Sequence, residues 1–173
     1  MPAEPAWTLR PLSSDDLNEL MRLQARCFDG DFLESAEVYA RRLASGHQQS
    51  LALACDNTQA LQAYAAAYWS APGKVTPFDG DFLAPDTDEA VLYLHDVSVA
   101  PEWVGRGAAS ALVSALFQLA RAQGVRQAAL VSVQGSQPYW ACHGFAVQAV
   151  DDPRQQENLR SYGEDASYMV ASI

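Results

Sequence analysis

Residues 91–123 constrain the fold of this chain more than any other stretch. Val91-Leu-Tyr-Leu-His-Asp-Val-Ser-Val99 alternates with the period of a strand, and Pro101 stops it. Gly105 and Gly107 then supply a turn of wide backbone freedom, and Ala108 to Gln123 is an apolar helix-forming run. A strand, a glycine turn and a helix in that order form a phosphate-binding arrangement. The first turn of a helix offers backbone N–H groups without intrahelical partners and the positive end of the helix dipole. Glycine lacks a Cβ, so the backbone before the helix can close around a phosphate oxygen. Small residues at a helix start also serve close packing, and both readings stand at this point.

Spacing separates three phosphate-binding patterns. A P-loop needs Gly-Lys-Ser/Thr at the helix start, and the only lysine of the chain is Lys74. A dinucleotide fingerprint could begin at Gly105, but its third glycine position holds Ser110 and no acidic residue closes a βαβ unit about twenty positions on. The third pattern fits. Val104-Gly105-Arg106-Gly107-Ala108-Ala109 resembles the acetyl-CoA signature Arg/Gln-x-x-Gly-x-Gly/Ala of the GNAT N-acetyltransferase superfamily. Trp140-Ala-Cys-His-Gly144-Phe145 is similar to that family's second signature, a short helix ending in Tyr-x-x-x-Gly-Phe. Val104 departs from the first signature position, which removes a side-chain contact and leaves the backbone amides.

The remaining elements follow in chain order. Trp7–Pro11 is a predicted strand, and Ser13 or Ser14 before Asp15-Asp16 is a helix cap with an acidic first turn. Leu17, Leu20, Met21, Leu23 and Phe28 make a helical stripe that stops near Gly30, and a second helix is expected over Ser35–Leu43. Strands are expected at Ser50–Asp56, Ala60–Trp69, Gln127–Val133, Phe145–Val150 and Ser167–Ala171, with a short helix over Ser136–His143. Residues 71–90, rich in Pro, Gly and Asp, read as a long loop, and Asp151–Asp165 as another. These elements predict an α/β fold of one domain, residues 1–173, built on a twisted mixed sheet of six to seven strands with helices on both faces. The resemblance implies the GNAT order of elements and a splay between the central strands.

The formal net charge of −10 argues against nucleic acid or an anionic membrane as the main partner; it serves solubility or a cationic substrate. Cys27, Cys55 and Cys142 form no C-x-x-C pair, so neither a disulfide framework nor a metal site is expected. Residues 1–20 lack the basic start and apolar core of a signal peptide, which places the expected home in the reduced cytoplasm. The resemblance also implies a homodimer.

Acetyl transfer to an amine needs a bound thioester, a neutral amine, a stabilised oxyanion and a fate for the thiolate. An amine with the lysine value of about 10.4 is roughly one part in a thousand neutral at pH 7, a deficit of about 4 kcal/mol that a base relieves. His95 shares one face of its strand with Tyr93, Val97 and Val99, while Asp96 and Ser98 share the other. It is either a packed core histidine or the base. Tyr93-Leu94-His95-Asp96-Val97-Ser98-Val99 is similar to the strand His-x-His-x-Leu-x-Val of arylalkylamine (serotonin) N-acetyltransferases. That resemblance implies that His95 takes or relays the proton, with Tyr93 in place of the other histidine; Asp96 is a hydrogen-bonding residue or the alternative base.

The family's tyrosine acid falls at Trp140, whose indole cannot supply a proton near neutral pH. Tyr139 beside it substitutes only where the helix is rotated or shifted, Tyr139 and Trp140 are otherwise packing aromatics, with Trp140 beside the cofactor, and a thiolate with a pKa near 8.5 leaves tolerably without an acid. The resemblance implies that the Val97 N–H meets the thioester carbonyl and that the pantetheine lies along Val97, Ser98 and Val99. It further implies that the pyrophosphate sits on the amides from Gly105 to Ala109, with Ser110 in support and Arg106 either a further support or a solvated surface arginine. Phe28, Phe32, Trp69, Phe82 and Trp103 are pocket walls or packing anchors, and Asp29, Asp31 and Glu34 form an acidic cluster that attracts an ammonium group or is a solvated loop. The function expected is acetyl-CoA-dependent acetylation of a small primary amine by direct attack. Its rivals are acetylation of a protein N-terminus or lysine, and a non-catalytic acyl-CoA sensor.

Overall fold

The structure, a computed structural model, describes residues 6–28, 30–86 and 88–173. Seven strands form one mixed sheet in the order β1-β2-β3-β4-β5-β7-β6. They are β1 Trp7–Pro11, β2 Leu51–Cys55, β3 Leu61–Ser70, β4 Val91–Val99, β5 Gln127–Ser132, β6 Ala146–Val147 and β7 Ser167–Ser172. The helices are α1 Leu17–Cys27, α2 Ala36–Ala44, α3 Ala108–Ala122, α4 Gln137–Cys142 and α5 Pro153–Arg160. Two compact units share these elements: the described residues to Ala67 with Asp96–Leu116, and Tyr68–His95 with Phe117–Ile173. Among the described residues no helix is long and apolar enough to cross a membrane.

In the first unit β1 pairs antiparallel with β2 from Trp7↔Cys55 to Pro11↔Leu51, and β2 pairs antiparallel with β3. α1 starts where the Asp16 carboxylate accepts from the Ser13 N–H at 2.9 Å and also holds Arg10. Its Leu20 and Leu23 are buried with Leu12, Tyr39, Leu43 and Tyr64. Each such leucine contributes roughly 1.5–3 kcal/mol relative to exposure. α2 begins at Ser35, whose hydroxyl accepts from the Val38 N–H at 3.4 Å, and ends on Arg41 and Arg42, which complement the helix dipole.

In the second unit β4 pairs parallel with β5 through Leu92–Leu94 and Ala128–Leu130, and β5 pairs antiparallel with β7 over its whole length. Tyr68, Val75, Val91, Tyr93, Ala129 and Tyr168 make its buried cluster. α3 ends at Gly124, φ +80°, where the Val125 N–H reaches the Ala120 carbonyl at 2.9 Å.

Two expectations need correction here. Asp151–Asp165 is not a loop throughout: α5 occupies Pro153–Arg160, with Asp152 as N-cap accepting from Arg154 N at 2.8 Å and Gln155 N at 3.3 Å. The strand expected over Phe145–Val150 contracts to Ala146–Val147, because both residues lie exposed at the sheet edge and have only β7 to pair with.

Candidate active site

β4 carries two titratable residues in succession, and they meet different surroundings. In the first unit the Asp96 carboxylate accepts through Oδ2 from the Tyr39 hydroxyl at 2.7 Å and from the Tyr64 hydroxyl, and through Oδ1 from Ser98 Oγ at 3.1 Å. Burial, and then the negative charge of Asp96, hold both phenols well above their ordinary value, so both stay protonated donors. The geometry is that of a structural acceptor.

The same polar layer absorbs part of the expected acidic cluster. Glu34 is no pocket-entrance acid and no solvated loop residue: its side chain and that of Arg42 are 5% and 4% exposed and pair at 2.8 Å. Gln24 fixes the Glu34 backbone from both sides, accepting from its N–H at 2.9 Å and donating to its carbonyl at 3.2 Å. Arg42 in turn lies over the Tyr39 ring at 5.2 Å, which joins the ion pair to the tyrosine that holds Asp96. A buried charge is retained only when paired, and this pair explains why Glu34 turns inward. Asp31 is exposed, and Asp29 lies outside the described residues.

His95 belongs to the second unit and is half-buried. Its Nδ1 lies 3.1 Å from the Tyr68 hydroxyl, which donates to Thr76 Oγ1 at 2.6 Å. The Tyr68 ring stacks with Phe82 at 3.9 Å and with Tyr93 at 5.3 Å, and His95 tilts against Tyr68 and stacks toward Tyr93. Phe82, a candidate pocket wall, is therefore a packing partner of the residue that meets His95. The sequence reading missed Tyr68, Thr76, Tyr39 and Tyr64. The signal available was that Tyr64 and Tyr68 are the bulky polar members of an alanine-rich strand.

The glycine turn lies in the first unit. After a 3-10 turn over Pro101–Trp103 the chain passes exposed Val104, then Gly105 at φ +80° and Gly107 at φ +81°, before α3 closes with the Ala111 N–H on the Gly107 carbonyl at 2.9 Å. Both glycines need the left-handed region that L side chains avoid, and the space a Cβ would occupy at each is open. Two left-handed glycines with open space where a Cβ would stand, directly ahead of a 15-residue helix, make a turn that suits a phosphate. Arg106 is exposed with its guanidinium 5.4 Å from the Trp103 ring centre, Ser110 is exposed, and Ala109 is half-buried behind them. Trp103 also packs against Trp7 at 5.4 Å. Val97 and Val99 are half-buried and Ser98 is buried, with the Cys27 thiol donating to the Val99 carbonyl at 3.2 Å. Burial pushes that thiol up, away from thiolate chemistry.

α4 carries the second signature. Trp140 is half-buried against Phe145 and His143, and Tyr139 is exposed with its ring on Trp140 and His143. Cys142 is exposed. Trp69 lines an open cleft of about 630 Å³ in the second unit, together with Asp88, Glu89 and Arg126.

A mixed seven-stranded sheet whose central strand leads through left-handed glycines into a helix is the arrangement that the sequence resemblance implied. The profile of the acetyltransferase (GNAT) family matches residues 17–145, and the chain belongs to that family. It is accordingly an acetyltransferase that uses acetyl-CoA. No curated protein matches the chain significantly. Among solved structures, the loading GNATL domain of CurA from Lyngbya majuscula superposes with a TM-score of 0.75 at 17% identity, over 96% of this chain and 97% of that one. The PaiA N-acetyltransferase from Thermoplasma acidophilum, in complex with coenzyme A, gives 0.69 at 12% identity over 97% and 99%. The ribosomal-protein-S18-alanine N-acetyltransferase from Escherichia coli gives 0.70 at 17% identity over 97% and 94%.

Proposed function

We propose that this chain acetylates the primary amine of a small molecule, by direct attack of the amine, with His95 taking the proton the amine must lose. The observation that carries the reading is the placement of His95: half-buried on β4, with one ring nitrogen engaged by the Tyr68 hydroxyl. The similarity of Tyr93–Val99 to the arylalkylamine N-acetyltransferase strand supports the same role.

Acetyl-CoA supplies the acetyl group as a thioester. The N–H groups from Gly105 to Ala109 hold its pyrophosphate, with Arg106 and Ser110 beside them and Val104 adding no polar contact. The backbone of Val97, Ser98 and Val99 receives the pantetheine as a strand edge receives a peptide, and the Val97 N–H donates to the thioester carbonyl. His95 answers the deficit of about 4 kcal/mol in neutral amine. We assign Tyr139 as the phenol that returns a proton to the thiolate; since a thiol titrates near 8.5, this step leans on its acid less than the first leans on its base. Trp140 is a packing residue, as its contacts with Phe145 and His143 favour.

Two measurements test the reading. Thermal unfolding with acetyl-CoA at 100 times its dissociation constant should gain about 2.7 kcal/mol, with no gain from an equal concentration of NAD. Thiol release should then follow addition of small alkyl and arylalkyl amines. Release confined to peptides with free N-termini or lysines would replace the small amine by a protein acceptor, and binding without release on any amine would make the chain a sensor.

A further inference from the structure

We propose that Asp96, Ser98, Tyr39 and Tyr64 are positioning residues that aim the Val97 N–H at the thioester carbonyl; this rests on the reading of that N–H as the oxyanion donor. Such a donor is effective because it is fixed before charge develops, so a backbone N–H in the role needs a backbone that does not turn. The Val97 N–H is aimed by the torsions at Asp96 and Val97, and these are soft unless the residues around them are held.

They are held from one face of the strand. On alternating geometry Asp96 and Ser98 project to the side opposite Val97. Ser98 Oγ donates to Asp96 Oδ1 at 3.1 Å, which closes a bridge behind Val97. Asp96 Oδ2 accepts from the Tyr39 hydroxyl of α2 at 2.7 Å and from the Tyr64 hydroxyl of β3, so the bridge is tied to two further elements. A carboxylate accepts at both oxygens at once, which lets one side chain join α2, β3 and its own strand. All three donors are buried: Ser98 is 1% exposed, and Tyr39 and Tyr64 are 0%. Tyr39 is itself braced, with the Tyr64 ring edge-on at 6.5 Å between centres and the Arg42 guanidinium over its ring at 5.2 Å.

The far end of the segment is anchored as well. The Cys27 thiol on α1 donates to the Val99 carbonyl at 3.2 Å, and the Ala100 N–H donates to the Gln62 carbonyl of β3 at 2.8 Å. Turning the Val97 N–H through a large angle therefore means breaking the Ser98 bridge, the phenol contacts of Asp96 or the anchors at Val99 and Ala100. The buried polar layer on one face of β4 thereby keeps the backbone rigid where the thioester is to meet it.

The test is isotope-edited infrared spectroscopy of the thioester carbonyl of acetyl-CoA bound to the full chain without amine, beside steady-state rates and the affinity for CoA. In the native chain the bound carbonyl stretch is expected below that of free acetyl-CoA, the mark of a hydrogen bond to its oxygen. Ser98→Ala should move the stretch back toward the free value and lower kcat about tenfold, less than the hundredfold or more that loss of an oxyanion donor costs. Affinity for CoA, which has no thioester carbonyl, should stay within about twofold. Tyr39→Phe keeps the ring and removes one donor to Asp96; it should shift the stretch in the same direction by less, and it gives the answer if Ser98→Ala does not fold. Native stretch and native kcat in these variants, even with lowered stability, overturn the proposal, because the network then holds only the fold. A native bound carbonyl at the free frequency overturns the Val97 reading and the proposal with it. Failure of the His95 reading is separate: His95→Gln would then lose the same rate at neutral and alkaline pH while the carbonyl stretch stayed shifted.

Discussion

His95 and Asp96 are neighbours on one strand, yet their surroundings differ in the feature that matters for proton transfer. Asp96 accepts from three hydroxyls, two of them on fully buried tyrosines, and behind one of these lies the Glu34–Arg42 ion pair. His95 meets the Tyr68 hydroxyl through Nδ1, among stacked aromatic rings. A carboxylate that accepts from two buried phenols is a fixed point around which others pack, and the surroundings of each residue, more than its type, separate the one that holds the fold from the one we assign to the chemistry.

The largest effect expected of that difference is on stability. Asp96→Ala leaves two buried phenols without their acceptor and should cost roughly 3–5 kcal/mol, a fall in Tm of about 10 °C for a chain of this length. His95→Ala should stay within about 1 kcal/mol of the native chain. Calorimetry on the two variants decides the matter, and a full-strength Asp96→Ala fold with no turnover would exchange the two roles.

Turnover should divide the other way. His95→Gln is expected to lower the rate at pH 7 about a hundredfold, within the range of a general base. At pH 9 the neutral amine is roughly a hundred times more abundant, so the loss should shrink to about tenfold or less. Initial rates of thiol release at both pH values read this directly.

Alkali sharpens the contrast from the Asp96 side. The phenols of Tyr39 and Tyr64 titrate well above the usual tyrosine value in the folded chain, through burial and the adjacent carboxylate. A folded value raised above the unfolded one means that the folded chain keeps protons the unfolded chain gives up as pH passes about 10. The stabilisation is complete below that pH and is lost as pH rises further. Tyr64→Phe should cost about 1–2 kcal/mol at pH 7 and make the alkaline decline shallower, which unfolding in denaturant at pH 7 and pH 11 would show.

What was legible in the chain was what repeats locally. The alternation of Val91–Val99 places β4 to the residue, Trp7–Pro11 is a strand as expected, and the glycine pair ahead of Ala108 marks the turn and helix. The hidden parts lack a local period. α5 is short and polar, with Gln155 its buried residue, so no apolar stripe announced it, although Asp152 before Pro153 was a readable cap and first-turn pair. Glu34 pairs with Arg42 eight residues away, Tyr64 reaches Asp96 across 32 residues and Tyr68 reaches His95 across 27. Such pairings depend on which strands and helices become neighbours, and nothing in the spacing of the separate segments encodes that.

The smallest effect concerns how far the hydroxyl chain behind His95 extends. Tyr162→Phe removes one of three hydrogen bonds by which α5 holds Val75 and Thr76, and leaves those of Gln155 and Asn158 in place. With the Val75 backbone still gripped on both its N–H and its carbonyl, Thr76 Oγ1 should shift little. We therefore expect a stability loss of about 1 kcal/mol, a neutral hydrogen bond, and a rate within about twofold of native. Thr76→Val, which removes the hydroxyl that Tyr68 meets, is expected to lower the rate about tenfold, the size of one neutral hydrogen bond. If Tyr162→Phe instead matches Thr76→Val in kcat, the orientation of Tyr68 depends on α5 as a whole, and the small network at His95 is as extended as the one at Asp96.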